Sequence, residues 1–179
     1  MKKIFCILTV LVMALNANAQ LSKIPQRLEI ATVEDEENVA SEFEVFNSPK
    51  DGKNAYWLSV GHLGFGDEVV QVLFDPAFEL FLPLGSNLTE ALANLQRMQE
   101  LLKQAPGTEI ELIGCLAFGF PNDKFEVVKV SHRKALLSHS LMFSVEREGY
   151  IRATDVPKSQ FGSLVSGVKF YSKLHKKER

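Results

Sequence analysis

One well-capped amphipathic helix, set between stretches that alternate with a period of two, constrains this chain more than any other feature. Asn87 supplies an N-terminal side-chain acceptor, and Glu90 three residues later completes a capping box. Leu88, Ala91, Leu92, Leu95, Met98, Leu102 and Ala105 follow at spacings of three and four and form one apolar stripe. Glu90, Asn94, Arg97, Gln99 and Lys103 fall mostly on the other side, and Ala105-Pro106-Gly107 stops the run. A helix over about 87–105 with one apolar face belongs on a sheet, with its polar face in water. Asn87-Leu88-Thr89 also matches a glycosylation sequon, but capping accounts for Asn87.

On both sides of the helix the pattern is that of strands. A short strand is expected at 27–31, and 42–46 places Phe43 and Val45 on one side. After the turn residues of 47–52, 55–60 is a second strand. Its alternation makes Tyr56, Leu58 and Val60 the core row and turns Trp57 to the other face. The glycine-rich stretch 61–67 then reads as a hairpin connection to a strand at 69–74, followed by one at 78–82. Beyond the helix, Ile110, Leu112, Leu116, Phe118 and Phe120 share one face of a strand, and Ile113, Cys115 and Ala117 line the other. A strand apolar on both sides is central. A turn at 121–124 leads to a strand at 125–130. Ala135, Leu137, His139, Leu141, Phe143 and Val145 then alternate over eleven residues, and Glu148-Gly149 turns the chain into 150–156. A loop is expected at 157–162. Leu164, Val168, Phe170 and Leu174 suit a final strand, with a helix over 161–174 as the alternative. Strands, one helix, then strands joined by tight turns make an α+β fold: a mostly antiparallel β-sheet with one amphipathic helix on one face.

The N-terminus reads as an export signal. Lys2 and Lys3 precede an almost wholly apolar run over 4–15, and Ala17-Asn18-Ala19 gives the small residues of a cleavage site before Gln20. The run is too short to span a bilayer, and no later stretch is long and apolar enough to do so. The expected organisation is therefore a cleaved signal peptide at 1–19 and a partly disordered leader at 20–40. A single domain at 41–175 and a basic tail at 176–179 follow. Cleavage leaves Cys115 as the one cysteine, which excludes an intrachain disulfide, a CxxC redox pair and a cysteine-based zinc site. The signal carries two of the 20 Lys and Arg and none of the 22 Asp and Glu, so the formal charge moves from −2 to −4. That value solubilises and offers nucleic acid no basic footprint. The acidic run at Glu34-Asp35-Glu36-Glu37 and the basic tail read as solvated termini.

No arrangement of residues amounts to a catalytic motif. Gly61-His62-Leu63-Gly64-Phe65-Gly66 has the wrong glycine spacing for a phosphate loop, lacks a Lys-Ser/Thr ending, and leads into a strand where a phosphate needs a helix N-terminus. The four histidines form no HxH, HExxH or i,i+4 pair. His132 and His139, seven apart, would fall on opposite faces of an unbroken strand, and a lone His in the apolar row of His139 reads as a hydrogen-bonded core residue. No metal ligand set, cofactor motif or GxSxG elbow is present, and Cys115 reads as a small core residue. Trp57, His62 and Phe65 remain: costly to expose, and on or beside a loop, they are the candidate ligand- or partner-binding residues. The expected function is a secreted or periplasmic, non-catalytic domain that binds a ligand or partner at the cell envelope. A small exported hydrolase is the alternative, and a structural subunit assembling through a sheet edge is a further one.

Overall fold

Residues 28–33, 43–48, 53–61, 64–65, 79–147 and 149–176 are described in a computed structural model of the chain. The expected helix forms as α1, Leu88–Leu101, and the Asn87 side chain accepts from the Glu90 backbone N–H as the capping pattern requires. The Glu90 carboxylate reaches back to the N–H of Ser86 at 2.7 Å, and this bond, with those from the Ser86 and Asn87 side chains, holds its pKa below the ordinary value. α1 ends four residues before the expected stop: Leu102, Lys103 and Gln104 donate to Gln99, Glu100 and Leu101, three-residue bonds that tighten its end, and Gly107, with φ 88, then turns the chain into the next strand.

Among the described residues nine strands form an antiparallel sheet: β1 Leu28–Val33, β2 Phe43–Asn47, β3 Tyr56–Val60, β4 Gly64–Phe65, β5 Glu79–Gly85, β6 Glu109–Ala117, β7 Glu126–Lys134, β8 His139–Arg147 and β9 Tyr150–Pro157. Their order across the sheet is β1-β2-β3-β5-β6-β7-β8-β9-β4. Tyr56, Leu58 and Val60 do form the core row of β3. The glycine-rich stretch is not a hairpin turn: β3 pairs with β5, and β4 pairs with β9 at the far edge. The expected strand at 69–74 lies outside the described residues. That crossing bends the sheet. From Val60 to Gly64 the chain can reach about 14 Å, whereas six strand spacings would separate β3 from β4 by about 29 Å if the sheet were flat. The sheet must curl through more than half a turn.

Several segments depart from the sequence reading. The last one is not a strand but a second helix, α2, Lys158–Lys176, which also absorbs the loop expected at 157–162. Phe161, Leu164, Val165, Val168 and Ser172 are buried at helical spacing, while Phe170 and Leu174 are exposed. Reading 164, 168, 170 and 174 as alternation mixed the two sides of a helix, and two valines and two glycines masked its propensity. Gly167 serves packing, since a Cβ there would lie 2.9 Å from the Ala31 Cβ of β1. β6 stops at Ala117, so Phe118 and Phe120 do not continue its row. Gly119 turns the chain with φ 74, and Phe118 is left 75% exposed. β8 begins at His139, and Leu136 and Leu137 sit exposed in the β7–β8 turn.

Both helices cover the same face of the sheet. Leu95, Met98 and Leu101 of α1 and Phe161, Leu164 and Val168 of α2 pack on Leu58, Leu82, Leu116, Val130, Phe143 and Val156. Leu92 is partly buried at the margin of this core. The outer face carries a smaller cluster of Phe46, Phe81, Cys115 and Ala117, with Phe46 and Phe81 edge to face at 5.9 Å.

Candidate functional site: an open strand edge inside the sheet

β6 is paired with β7 over Glu109–Gly114 and with β5 over Cys115–Ala117, so the ladder passes from one neighbour to the other part-way along the strand. The β5–β6 ladder holds Glu79 against Ala117, Leu80 against Leu116 and Phe81 against Cys115, and ends there. The sequence explains the end. His132 donates its backbone N–H to the Thr108 carbonyl, which sets the alternation along β6. Backbone groups of Ile110 and Leu112 therefore point to β7, and those of Glu109, Glu111 and Ile113 point toward β5. Continuing the register would set Ile113 opposite Pro83, and proline has no N–H to give. Pro83 still sits inside β5, across from Trp57 of β3, because its missing donor faces the side that has no ladder.

Gly114 is the pivot. A Cβ there would lie 2.8 Å from both the Phe81 carbonyl oxygen and Val128 Cγ2, so only glycine lets the strands cross this closely before they part. The parting leaves a cavity of about 90 Å³. Leu82, Met98 and Leu112 form its apolar wall, Pro83 and Ile113 flank it, and Asn94 and Arg97 of α1 bring polar groups to it. Asn94 Nδ2 donates to the Leu84 carbonyl at 2.9 Å, which ties α1 to the end of β5. Glu109, Glu111 and Ile113 are exposed on the outer face of β6. Directly across on β7, Lys129 is the partner of Glu111 and reaches Glu109 at 3.9 Å.

The near end of this open half is held by a pair of histidines. His132 is buried, and its backbone bonds to both Gly107 and Thr108 in the α1–β6 connection. Its Nδ1 lies 2.9 Å from the Gln104 carbonyl, which can only accept, so Nδ1 carries a hydrogen. Its Nε2 lies 2.7 Å from His139 Nδ1. The ring centroids are 5.0 Å apart, the separation reached when the N···N line runs through both ring centres. The two nitrogens thus face each other head on, as a shared proton requires, and do not converge on a common metal position. In the neutral pair His139 is the donor. Burial, then the positive charge of His132, Lys134 and Lys158, holds the His139 pKa below its ordinary value. The expectation that His132 and His139 face apart fails because a turn separates them. Lys134 pairs with His139 and His132 with Leu141, which puts both rings on one face as diagonal neighbours.

The sequence-expected binding residues are dispersed. Trp57 is half-buried against the outer-face cluster, one strand from the open edge. Phe65 lies in β4, opposite Arg152 of β9. His62 lies outside the described residues. Cys115 is buried, with its thiol pushed up in pKa chiefly by burial, and accepts the Asn122 N–H at 3.4 Å. Among the described residues no group of three or more His, Cys, Asp or Glu side chains could hold a metal ion. No described helix is long and apolar enough to cross a membrane. No family model, no curated protein and no solved structure matches the chain.

Proposed function

We propose that this chain is an exported, non-catalytic binding domain that takes an extended segment of a partner protein as an added strand on β6. The observation that carries this reading is the half-open β5–β6 ladder. Among the described residues no strand pairs with the outward N–H and C=O groups of Glu109, Glu111 and Ile113, a cavity opens beside Ile113, and a row of alternating donors and acceptors is complemented by the backbone of another strand. The cavity beside them offers an apolar pocket for an alternate side chain, the usual source of specificity in strand addition. The histidine pair has a backbone carbonyl and lysines for company, a poor setting for a general base, which is oriented by a carboxylate. Export rests on Lys2-Lys3, the apolar run and the Ala17-Asn18-Ala19 exit. The mature chain recovered from the producing cell should have the mass of a protein starting at Gln20.

Selection from a displayed library of random dodecapeptides tests strand addition. Enriched peptides should slow hydrogen exchange at the amides of Glu109, Glu111 and Ile113. They should also lose binding to Glu111→Pro, which removes an outward donor while sparing the bonds to β7. No enrichment, or binders that leave those amides unprotected, would refute the reading.

A further inference from the structure

We infer that the strand accepted by β6 is basic on one face: an aliphatic residue opposite Ile113, an aliphatic residue next to it that enters the cavity, and Lys or Arg opposite Glu111 and Glu109. This rests on the strand-addition reading and follows from the pleat. In an antiparallel pair, residues directly opposite share a face. Partner residues set against Ile113, Glu111 and Glu109 therefore lie on the outer face, beside one aliphatic and two carboxylate side chains. The residue between the first two lies opposite Leu112. It points to the helix-covered side, where Leu82, Met98 and Leu112 line a cavity with room for a branched aliphatic side chain. On the outer face Lys129 is one cation shared by two carboxylates, reaching Glu109 at 3.9 Å, so that face of the open edge keeps a net negative charge, while Arg97 lies at the cavity with α1.

The same charges argue against a second copy of this chain as the occupant. Two β6 edges related by a two-fold axis would place Glu111 against Glu111, or Glu109 against Glu109, and like charges directly opposite destabilise a ladder. Only the registers centred on Leu112 and Ile113 avoid this, and they set Glu109 or Glu111 against Cys115, whose outward groups β5 already occupies.

The test uses two synthetic peptides with identical Gly-Ser flanks, one with the core Val-Val-Lys-Thr-Lys and the other Val-Val-Glu-Thr-Glu, titrated into the full chain and followed by amide chemical shifts. The lysine peptide should bind about tenfold more tightly, from up to about fivefold for each cross-strand charge pair. The preference should shrink in high salt. In the Glu109→Lys/Glu111→Lys variant, whose changes are both at exposed positions, it should reverse. Equal binding of both peptides with the β6 amides shifted in each case would overturn the charge rule and leave strand addition standing. Failure of both peptides to move the amides of Glu109, Glu111 and Ile113 overturns both readings. A lysine preference that persists unchanged in the double variant overturns the assignment to β6.

Discussion

The two halves of β6 differ by a few residues in position and by almost everything in environment. Cys115, Leu116 and Ala117 pair with β5 and are buried on both faces. Glu109 to Ile113 have β7 on one side only, and there burial alternates between half-buried and exposed. One strand thus changes neighbour part-way along: its β5-paired end is packed on both faces, and its β7-paired end turns one face to solvent. Its residues follow suit: apolar on both faces where β5 pairs with it, Glu-x-Glu where the β5 side is open. Charges at the open end also guard against indiscriminate pairing, a common defence of exposed edges. The switch between the regimes needs a proline on the neighbouring strand and a glycine on this one.

Truncation should expose the contrast most strongly. Leu116→Ala removes a buried side chain from the helix-covered core and should cost about 2–5 kcal/mol. Ile113→Ala, three residues away at a position 59% exposed, should stay within about 0.5 kcal/mol. Urea unfolding of the two variants decides it, and equal losses would mean that the open half is as integral as the closed one.

The pivot comes next. Gly114→Ala forces a methyl against the Phe81 carbonyl, a backbone atom that cannot rotate away. It should cost about 1–3 kcal/mol by overpacking. A variant as stable as the parent would show that β5 and β6 can part without a close crossing.

A smaller effect is expected from acid, confined to the open end. His139 titrates below its ordinary value of 6.5 when folded, so the unfolded chain takes the proton first. Stability from this source is complete well above pH 6.5 and declines as pH falls through that value toward the lower folded pKa. One added proton can still be shared, because His139 then donates to His132. A second would set two N–H groups head on at 2.7 Å. The melting temperature should therefore fall more between pH 7.5 and pH 5 for the parent than for His139→Gln. Protection of the Gly107 amide, whose N–H bonds to His132, relative to its intrinsic exchange rate should fall in acid while that of Cys115 does not. Identical pH profiles for parent and variant would remove the pair from this role.

The smallest change tests the cause of the split. Pro83→Val returns one N–H, and a single added hydrogen bond is worth about 0.5–1.5 kcal/mol. Part of that is offset by a freer unfolded chain. The clear readout is local: the new amide at position 83 should exchange slowly, and binding at the open edge should weaken. A fast-exchanging amide there would show that the missing donor is not what keeps the strands apart.

Local chemistry was legible in the chain itself. Asn87 and Glu90 marked the start of α1, its apolar stripe named Leu95 and Met98 as core, and alternation assigned Tyr56, Leu58 and Val60 to the buried row of β3. Each of those signals acts over a few residues, within the reach of one turn or one pleat. What the chain alone did not disclose depends on contacts between distant segments. The sequence leaves strand and helix open over 161–174, and the structure takes the helix because Phe161, Leu164 and Val168 are stabilised by the sheet beneath them and not by helix propensity. The His132–His139 pair needed a turn whose exposed leucines look like strand residues. The open edge of β6 is a property of two strands at once: Pro83 and Gly114 are each visible in the sequence, but only the pairing of Phe81 with Cys115 brings them side by side. Alternation reports which face of a strand is buried, and is blind to which edge has a neighbour, because edges are satisfied by backbone groups that every residue carries.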